Sequence, residues 1–201
     1  MAAKTGRPRG FDRDTALEQA MFLFWEHGYD AVSVRDLTQA MGVAPASLYA
    51  AFTDKPTLFE EAVDVYARRY GTYIQEAIEC EPTAYRAVRR LLTRYVAHQT
   101  DPGRPAGCLI LNGATGNTAS PESVSTGLRA RRAHTADRVE GMIRADIERG
   151  DLPPGTDARA LASFFLTVWQ GLSRLALDGY GHRELEGVVS TAMTAWPATD
   201  G

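Results

Sequence analysis

The sequence predicts an all-α fold, and three observations support this prediction. Apolar residues recur at steps of three and four along most of the chain, which is the spacing of helices that bury one face. No stretch of useful length alternates apolar and polar residues as a strand does. The 201 residues, 44% of them hydrophobic and 23% charged, can bury an ordinary globular core without disulfide or metal staples. We expect about nine helices in a small N-terminal domain and a larger C-terminal one.

The first eleven residues are predicted to form a flexible basic arm. Lys4, Arg7 and Arg9 occur there with two glycines and a proline, and no acid precedes Asp12. Such a segment cannot bury apolar surface, so it stays outside the core. It is either an ordinary disordered terminus or an arm that follows a phosphate backbone or enters a minor groove.

Residues 12–56 are predicted to form a three-helix domain, and its first helix is the most regular. Asp12 can cap the start of this helix, and apolar residues then recur from Leu17 to Trp25 on one side. Gly28 is a natural place for the helix to end, because glycine readily adopts the left-handed conformation found there.

The second and third helices are short and are predicted to form a helix-turn-helix. Ser33, followed three residues later by Asp36, is typical of a capped helix start, and Gly42 ends this helix. The third helix begins at Pro45, where the missing N–H costs nothing, and runs to about Phe52. The connection between the two helices is only a few residues long, as the motif requires.

The remainder, residues 57–201, is predicted to be a larger helical domain. Its six helices are bounded by capping residues, glycines or prolines. They are expected at residues 58–80, 83–98, 108–116, 120–149, 157–178 and 183–195. The longest apolar stretch, Ala158 to Leu177, is interrupted by Gln170, Ser173 and Arg174, so we interpret it as a buried helix and not as a membrane span.

Several sequence motifs in the N-terminal quarter resemble those of a known family. They are Ser33-x-x-Asp36-Leu37, Met41-Gly42-Val43, Ser47-Leu48-Tyr49-x-x-Phe52 and Lys55-x-x-Leu58-Phe59. The stretch from Gly6 to Leu58 closely resembles the DNA-binding domain of the tetracycline-repressor (TetR) family. The resemblance implies a transcriptional regulator, commonly a repressor, that binds a palindromic operator in double-stranded DNA as a homodimer and is released by a small organic effector.

The residues themselves also favour DNA binding. The third helix exposes mainly small side chains, so it can enter a major groove about 12 Å wide, where alanine methyls can contact thymine methyls. Arg35 is the best candidate for a guanine or phosphate contact. The candidate contacts are Ser33, Arg35, Ala44, Pro45, Ala46, Ser47, Tyr49 and Lys55. Each alone could be an ordinary surface residue; together, at these spacings, they indicate a DNA-binding face.

The excess of acidic residues in the N-terminal domain and the excess of apolar residues in the last two helices both favour a dimer. Residues 1–60 contain six basic and eight acidic side chains, so one domain alone would bind DNA weakly. The last two helices are apolar on more than one side and therefore need neighbours on more than one side. By resemblance, these helices form a four-helix dimer interface. Its predicted residues are Phe164, Val168, Leu172, Leu175, Val189 and Met193.

Aromatic side chains with polar tips in the larger domain suit a small organic ligand. The candidate ligand-binding residues are Tyr66, Tyr70, Tyr95, Cys108, Asn112, Phe165 and Trp169. Cys108 follows Gly107 at a helix start, where a helix dipole can lower a thiol pKa, so a redox- or electrophile-sensing thiol is one alternative. The other interpretation of Cys108 is a small buried apolar residue.

A different class of function, a helical ligand-binding protein or an enzyme without a DNA partner, stays open at this point. The four histidines show no metal-ligand spacing, and no CxxC, P-loop or dinucleotide fingerprint occurs. We therefore expect no catalytic residues, cofactor, metal site or membrane partner. Two cysteines do not make a disulfide scaffold, and residues 1–10 lack the apolar segment of a signal peptide, so we expect a cytoplasmic protein.

Overall fold

The structure, a computed structural model, describes residues 12–114 and 120–198. These residues form ten helices and no strand, so the all-α prediction is confirmed. The helices are α1 Arg13–Ala31, α2 Val34–Met41, α3 Pro45–Phe52, α4 Lys55–Tyr70, α5 Thr72–Cys80, α6 Ala84–Gln99, α7 Leu109–Asn112, α8 Glu122–Arg149, α9 Ala158–Leu177 and α10 His182–Met193. The predicted basic arm, residues 1–11, lies outside the described residues.

Gly28 bends α1 instead of ending it. Its φ of 77° and ψ of 168° lie outside the helical region, where glycine meets no Cβ clash, and the helix resumes to Ala31. At the other end, the Asp12 carboxylate accepts hydrogen bonds from the backbone N–H groups of Asp14 and Thr15. The short part of α1 after Gly28 therefore has a different direction from the part before it.

The helix-turn-helix forms as its caps predict. Ser33 and Asp36 make a reciprocal capping box at the start of α2, and Gly42 ends α2 with a φ of 66°. Leu48 and Phe52, four residues apart on α3, are buried against the rest of the core. The opposite face of α3 is consequently directed to solvent.

The predicted helix at 58–80 is two helices, because the chain breaks at Gly71. This residue has φ −101° and ψ 0°, and it ends α4 and precedes α5. A Cβ built on Gly71 would lie 2.8 Å from the carbonyl oxygen of Ala67, closer than real Cβ contacts, so the break relies on the missing side chain. This break accounts for the tenth helix. The short helix expected at 108–116 is also shorter in the described residues and ends at Asn112.

One hydrophobic core extends through the head, which we define as residues 12–56, and the body, residues 57–114 and 120–198. Helix α1 packs on α4, α8 packs on α9, and α6 packs on α10. The short helix α7 lies at the junction and contacts α1, α4, α8 and α9. This helix is therefore placed to connect head and body.

Helix α9 is long and apolar enough to cross a membrane, judged by length and composition alone. A core helix of a globular protein has the same properties. Phe165, Trp169 and Leu172 bury one side of α9 in the core, whereas Phe164 and Leu177 are exposed on it. The burial of these large side chains agrees with the prediction of a core helix.

Candidate nucleic-acid interface and buried polar cluster

The solvent face of α3 is narrow and mostly apolar. Ala44, Pro45, Ala46 and Ser47 are exposed, and Tyr49 is 48% exposed. No side chain caps the start of α3; Pro45 has no backbone N–H, and the N–H of Ser47 donates to the carbonyl oxygen of Ala44 at 2.9 Å. A helix with this outline can lie in a major groove with its backbone close to the bases.

Two polar side chains flank this face at the start of α2. Ser33 and Arg35 are both exposed. The Ser33 hydroxyl is engaged with Asp36, and this contact lowers the pKa of the Asp36 carboxyl. The Arg35 guanidinium makes no hydrogen bond or ion pair to the described residues, so its donors are available to a phosphate or a guanine.

Lys55 is placed differently from the other predicted DNA contacts. Its Nζ donates to the carbonyl oxygen of Tyr29 at 2.7 Å and lies 4.0 Å from the centroid of the Tyr29 ring. Partial burial lowers the pKa of Lys55. In this conformation Lys55 links the start of α4 to the bend in α1. Its ammonium is bonded within the head and is not directed to solvent.

The loop around α7 is bonded to the end of α1. The indole N–H of Trp25 donates to the carbonyl oxygen of Gly107 at 3.0 Å. The backbone N–H of Tyr29 donates to the carbonyl oxygen of Gly113 at 2.7 Å. The Ser120 hydroxyl donates to the Asp30 carboxylate at 2.5 Å. Three bonds therefore join the last turns of α1 to one segment of the body.

Gly107 is held from the body side as well. The Gln99 side chain donates to its carbonyl oxygen at 3.0 Å and accepts from its N–H at 2.5 Å. The φ of Gly107 is 83°, and a Cβ there would lie 3.0 Å from both Leu177 Cδ2 and Asn112 Nδ2. Only glycine fits this position without strain.

A buried polar cluster lies next to this loop. It consists of Tyr66, Tyr73, Tyr95, Cys108, Trp169 and Ser173, all of them buried. The rings of Tyr95 and Trp169 meet edge to face at 5.8 Å. Yet the Tyr95 hydroxyl and the Trp169 indole N–H are buried without a hydrogen bond of good geometry, although Ser173 acts on the Tyr95 hydroxyl and Trp169 acts on the Tyr73 hydroxyl. Unpaired buried polar atoms are costly, so these two atoms mark a place where a ligand oxygen would be stabilised.

Burial raises the pKa of every titratable group of the cluster. Burial raises the pKa values of Tyr66, Tyr73 and Tyr95 well above the usual value for tyrosine. Burial also raises the pKa of the Cys108 thiol, an effect that the Tyr66 hydroxyl partly offsets. The possibility that a helix dipole lowers the Cys108 pKa is thus not what the structure shows, because α7 has only four residues and the thiol is desolvated.

The predicted ligand-binding residues separate into two groups. Tyr66, Tyr95, Cys108 and Trp169 belong to the cluster, and Asn112 reaches it through a bond of 2.7 Å from its Nδ2 to the Ser173 hydroxyl. The remaining two pack elsewhere. Tyr70 lies against Trp25 and His98, and Phe165 against Trp196.

Tyr73 and Ser173 belong to the cluster although they are not among the predicted ligand-binding residues. Tyr73 follows Tyr66 by seven residues, which is two helical turns, and that spacing could have indicated a shared face. Ser173 follows Trp169 by four residues, which is one turn of α9. Within the described residues, no group of three or more His, Cys, Asp or Glu side chains is arranged to hold a metal ion.

The predicted dimer residues divide by burial. Phe164 is 43% exposed, and Val168 and Leu175 are half-buried on the same helix. Leu172 is fully buried within the protomer and therefore has no surface to offer a partner, and Val189 and Met193 are also largely buried. The exposed apolar surface of α9 is carried by Phe164 and Leu177, of which Leu177 is 44% exposed.

Comparison with known proteins gives consistent matches along the chain. Residues 16–62 match a family model described as bacterial regulatory proteins, tetR family. Residues 84–179 match a model described as tetracyclin repressor-like, C-terminal domain.

Individual relatives match over nearly their whole lengths. The HTH-type transcriptional repressor ComR of Escherichia coli (strain K12) is 36% identical over 198 residues, covering 96% of this chain and 92% of that protein. The repressor BdcR of the same strain is 28% identical over 180 residues, covering 90% and 86%. A cysteine mutant of the TetR family regulator CifR, solved with 26-bp double-strand operator DNA, is 41% identical with a TM-score of 0.88, covering 96% of this chain and 100% of that one.

Proposed function

The chain belongs to the TetR family of transcriptional regulators, and from that premise we propose that it represses transcription by binding a palindromic operator as a homodimer, and that a small organic effector releases it. The observation that supports this most directly is the narrow solvent face of α3 in a complete helix-turn-helix. A relative with 41% identity has been solved on operator DNA. The matched relatives ComR and BdcR are transcriptional repressors.

The DNA contacts that we propose come from the starts of α2 and α3. Ser47 and Tyr49 supply hydroxyls for bases and phosphates, and Arg35 supplies the only unpaired guanidinium on the described part of the head. Ala44, Pro45 and Ala46 bring apolar surface to the groove, where thymine methyls are their natural partners. Ser33 and Lys55 complete the set near the DNA backbone. Lys55 contributes mainly by its hydrogen bond to Tyr29, which holds the start of α4 in place.

The dimer that we propose solves a problem of charge. The acids of the head outnumber its bases, so phosphate attraction from one head is weak, and a two-fold pair of heads is needed for tight binding. We assign the interface to the exposed side of α9, around Phe164, Val168 and Leu175, together with α10. Val189 and Met193 support it from α10, and Leu172 supports it from inside the protomer.

The effector site that we propose is the buried polar cluster. An uncharged molecule with an oxygen acceptor would satisfy the Tyr95 hydroxyl and the Trp169 N–H, whose unpaired state costs about 1–3 kcal/mol each. A charged group is disfavoured there, because the same desolvation that raises the pKa values of Tyr66, Tyr95 and Cys108 penalises any buried charge. Opening this packed site requires movement of its walls, and Cys108 immediately precedes α7.

The coupling between effector and DNA then passes through the segment around α7. Cys108 lies next to Gly107, which bonds to Trp25, and α7 is followed by Gly113, which bonds to Tyr29. An effector that binds better when this segment is displaced would shift the population toward heads that no longer fit the operator. We propose a cytoplasmic location, where the operator DNA is.

The test of DNA recognition is a pair of matched substitutions. The operator is first selected from random duplexes with the full-length protein. We expect Ala46→Glu to lower operator affinity by at least about tenfold, because it places a carboxylate against phosphates and bases. Ala97→Glu, an equally exposed alanine on α6, should leave affinity unchanged. Equal behaviour of the two variants would contradict the proposal.

A further inference from the structure

A cleft of about 680 Å³ lies between α4 and α5 on one side and α8 on the other. This volume falls within the range of small-molecule sites in proteins. The cleft shares no lining residue with the buried polar cluster, so the two are separate places in the fold. Gly71, at which α4 and α5 are separated, lies in its wall.

The floor of the cleft is apolar and its rim is charged. Phe59 and Val63 contribute from α4, Ile74 and Ile78 from α5, and Leu128 from α8. Such a floor accepts the hydrocarbon part of a ligand, since covering it removes apolar surface from water. The polar part of a ligand must then lie at the rim.

Two ion pairs cross the cleft and set the register of its walls. Arg131 of α8 pairs with Asp64 of α4, and Arg138 of α8 pairs with Glu79 of α5 at 3.2 Å. His134 lies between the two arginines on the same side of α8, because steps of three and four residues share a helix face.

The stretch between these ion pairs is suited to an anion. Gln75 lines it from α5, with its Nε2 donating to Glu79, and His134 lines it from α8, while the carboxylates at its two ends, Asp64 and Glu79, are already paired with Arg131 and Arg138. Arg131 and Arg138 each use one guanidinium nitrogen in their ion pairs, and a guanidinium has five N–H donors. Donors therefore remain for a carboxylate, and the unpaired acid of the cleft, Glu60, lies toward the other end.

From this arrangement we propose that the cleft is a second ligand site, which takes an amphipathic carboxylate with an apolar body. Its carboxylate lies beside His134 between Arg131 and Arg138, and its hydrocarbon covers the floor. The carboxylate competes with Asp64 for Arg131, which is the ion pair that joins α8 to α4. Because α4 packs on α1 of the head, occupancy of the cleft lowers operator affinity.

The site is tested first by direct binding to the full-length protein. Calorimetry with octanoate, octanol and octylamine compares a carboxylate, an alcohol and an amine on one hydrocarbon chain. We expect octanoate to bind at least about tenfold more tightly than the other two, since charge-assisted hydrogen bonds are available only to it. Absence of octanoate binding, or equal or tighter binding of octylamine, would overturn the proposal.

Matched variants then place the ligand. Arg138→Gln should weaken octanoate binding about tenfold, whereas Arg129→Gln, which removes the same charge from an exposed position outside the cleft, should not. Thermal melting checks that both variants fold. If both variants bind octanoate as the parent does, the location is wrong.

Regulation is tested on the selected operator. We expect octanoate to weaken operator binding by the parent and by Arg129→Gln, and to have less effect on Arg138→Gln. Octanoate that binds without changing operator affinity would overturn the regulatory part of the inference. A protein that binds no operator at all would instead contradict the proposed function, and calorimetry would still decide the site.

Discussion

The backbone N–H of Tyr29 donates to the carbonyl oxygen of Gly113 across 2.7 Å, although the two residues belong to the head and the body. The carbonyl oxygen of the same Tyr29 accepts from Lys55 Nζ. One residue, just after the bend at Gly28, thus joins the end of α7 to the start of α4. Displacement of the α7 segment would therefore act directly on the start of α4, the helix that follows α3.

The first prediction separates two basic residues of the head. Lys55→Met removes an ammonium that is bonded to Tyr29, so we expect the free energy of unfolding to fall by about 1 kcal/mol or more in urea titrations. Arg35→Met removes an exposed guanidinium without a bond to the described residues, so stability should stay the same while operator affinity falls. The reverse pattern would show that Lys55 acts on DNA and that Arg35 acts in folding.

The second prediction concerns two glycines. Gly107→Ala should destabilise the protein by about 1–3 kcal/mol, because an alanine would adopt a φ of 83° with its Cβ against Leu177 and Asn112. Gly141→Ala, in the exposed interior of α8 with nothing near its Cβ, should stabilise it by about 0.5–1 kcal/mol. Thermal melting of both variants measures the difference. A neutral Gly107→Ala would mean that the loop adapts without loss.

Local capping signals predicted α2 well, whereas Gly28 was expected to end α1 and only bends it. Ser33 with Asp36 and Gly42 are such signals, and both ends of α2 follow from them. Gly71 was missed because the apolar period continues on both sides of it, so that the pattern alone resembles one uninterrupted helix.

Contacts between distant segments could not be predicted in this way. Trp25 and Gly107 are separated by 82 positions, and only the packing of α7 against α1 brings them together. The α8 cleft likewise depends on the register of α8 against α4, which is set by pairs such as Arg131 with Asp64. Periodicity shows which face of a helix is apolar, but not which helix covers it.

The third prediction is a dependence of stability on pH through His98. Burial, and next the charge of Arg104, lower the pKa of His98 to about 4, while Asp101 acts in the opposite direction. An unfolded histidine titrates near pH 6.5, so the unfolded chain binds the proton first as the pH falls. The free energy of unfolding should therefore decrease from about pH 6.5 down to about pH 4.

The slope expected from His98 is below the limit of about 1.4 kcal/mol per pH unit for one proton, because the unfolded and folded chains differ by less than one bound proton at any pH. Urea titrations at several pH values measure it. His98→Gln should remove this part of the slope. An unchanged slope in His98→Gln would assign the pH dependence to other groups.

The fourth prediction concerns the alanine face of α3. Deoxyuridine in place of a contacted thymine removes one methyl, and we expect operator affinity to fall about fourfold for each methyl that Ala46 covers. In Ala46→Gly this penalty should disappear, and in Ala97→Gly it should persist. Fluorescence anisotropy with the paired duplexes gives the four affinities of the cycle. A penalty that is the same in both variants would assign the methyl contact to another residue.

The fifth prediction concerns assembly. Phe164 is 43% exposed on α9, and a carboxylate at its position would be desolvated in the proposed interface. We expect Phe164→Glu to be monomeric in sedimentation at concentrations where the parent is a dimer, and to lose tight operator binding, because the acidic heads then act singly. Ala133→Glu, exposed on α8, should stay dimeric and bind the operator as before. A dimeric Phe164→Glu would place the interface elsewhere. A monomeric Phe164→Glu with full operator affinity would contradict the argument that one acidic head binds DNA too weakly.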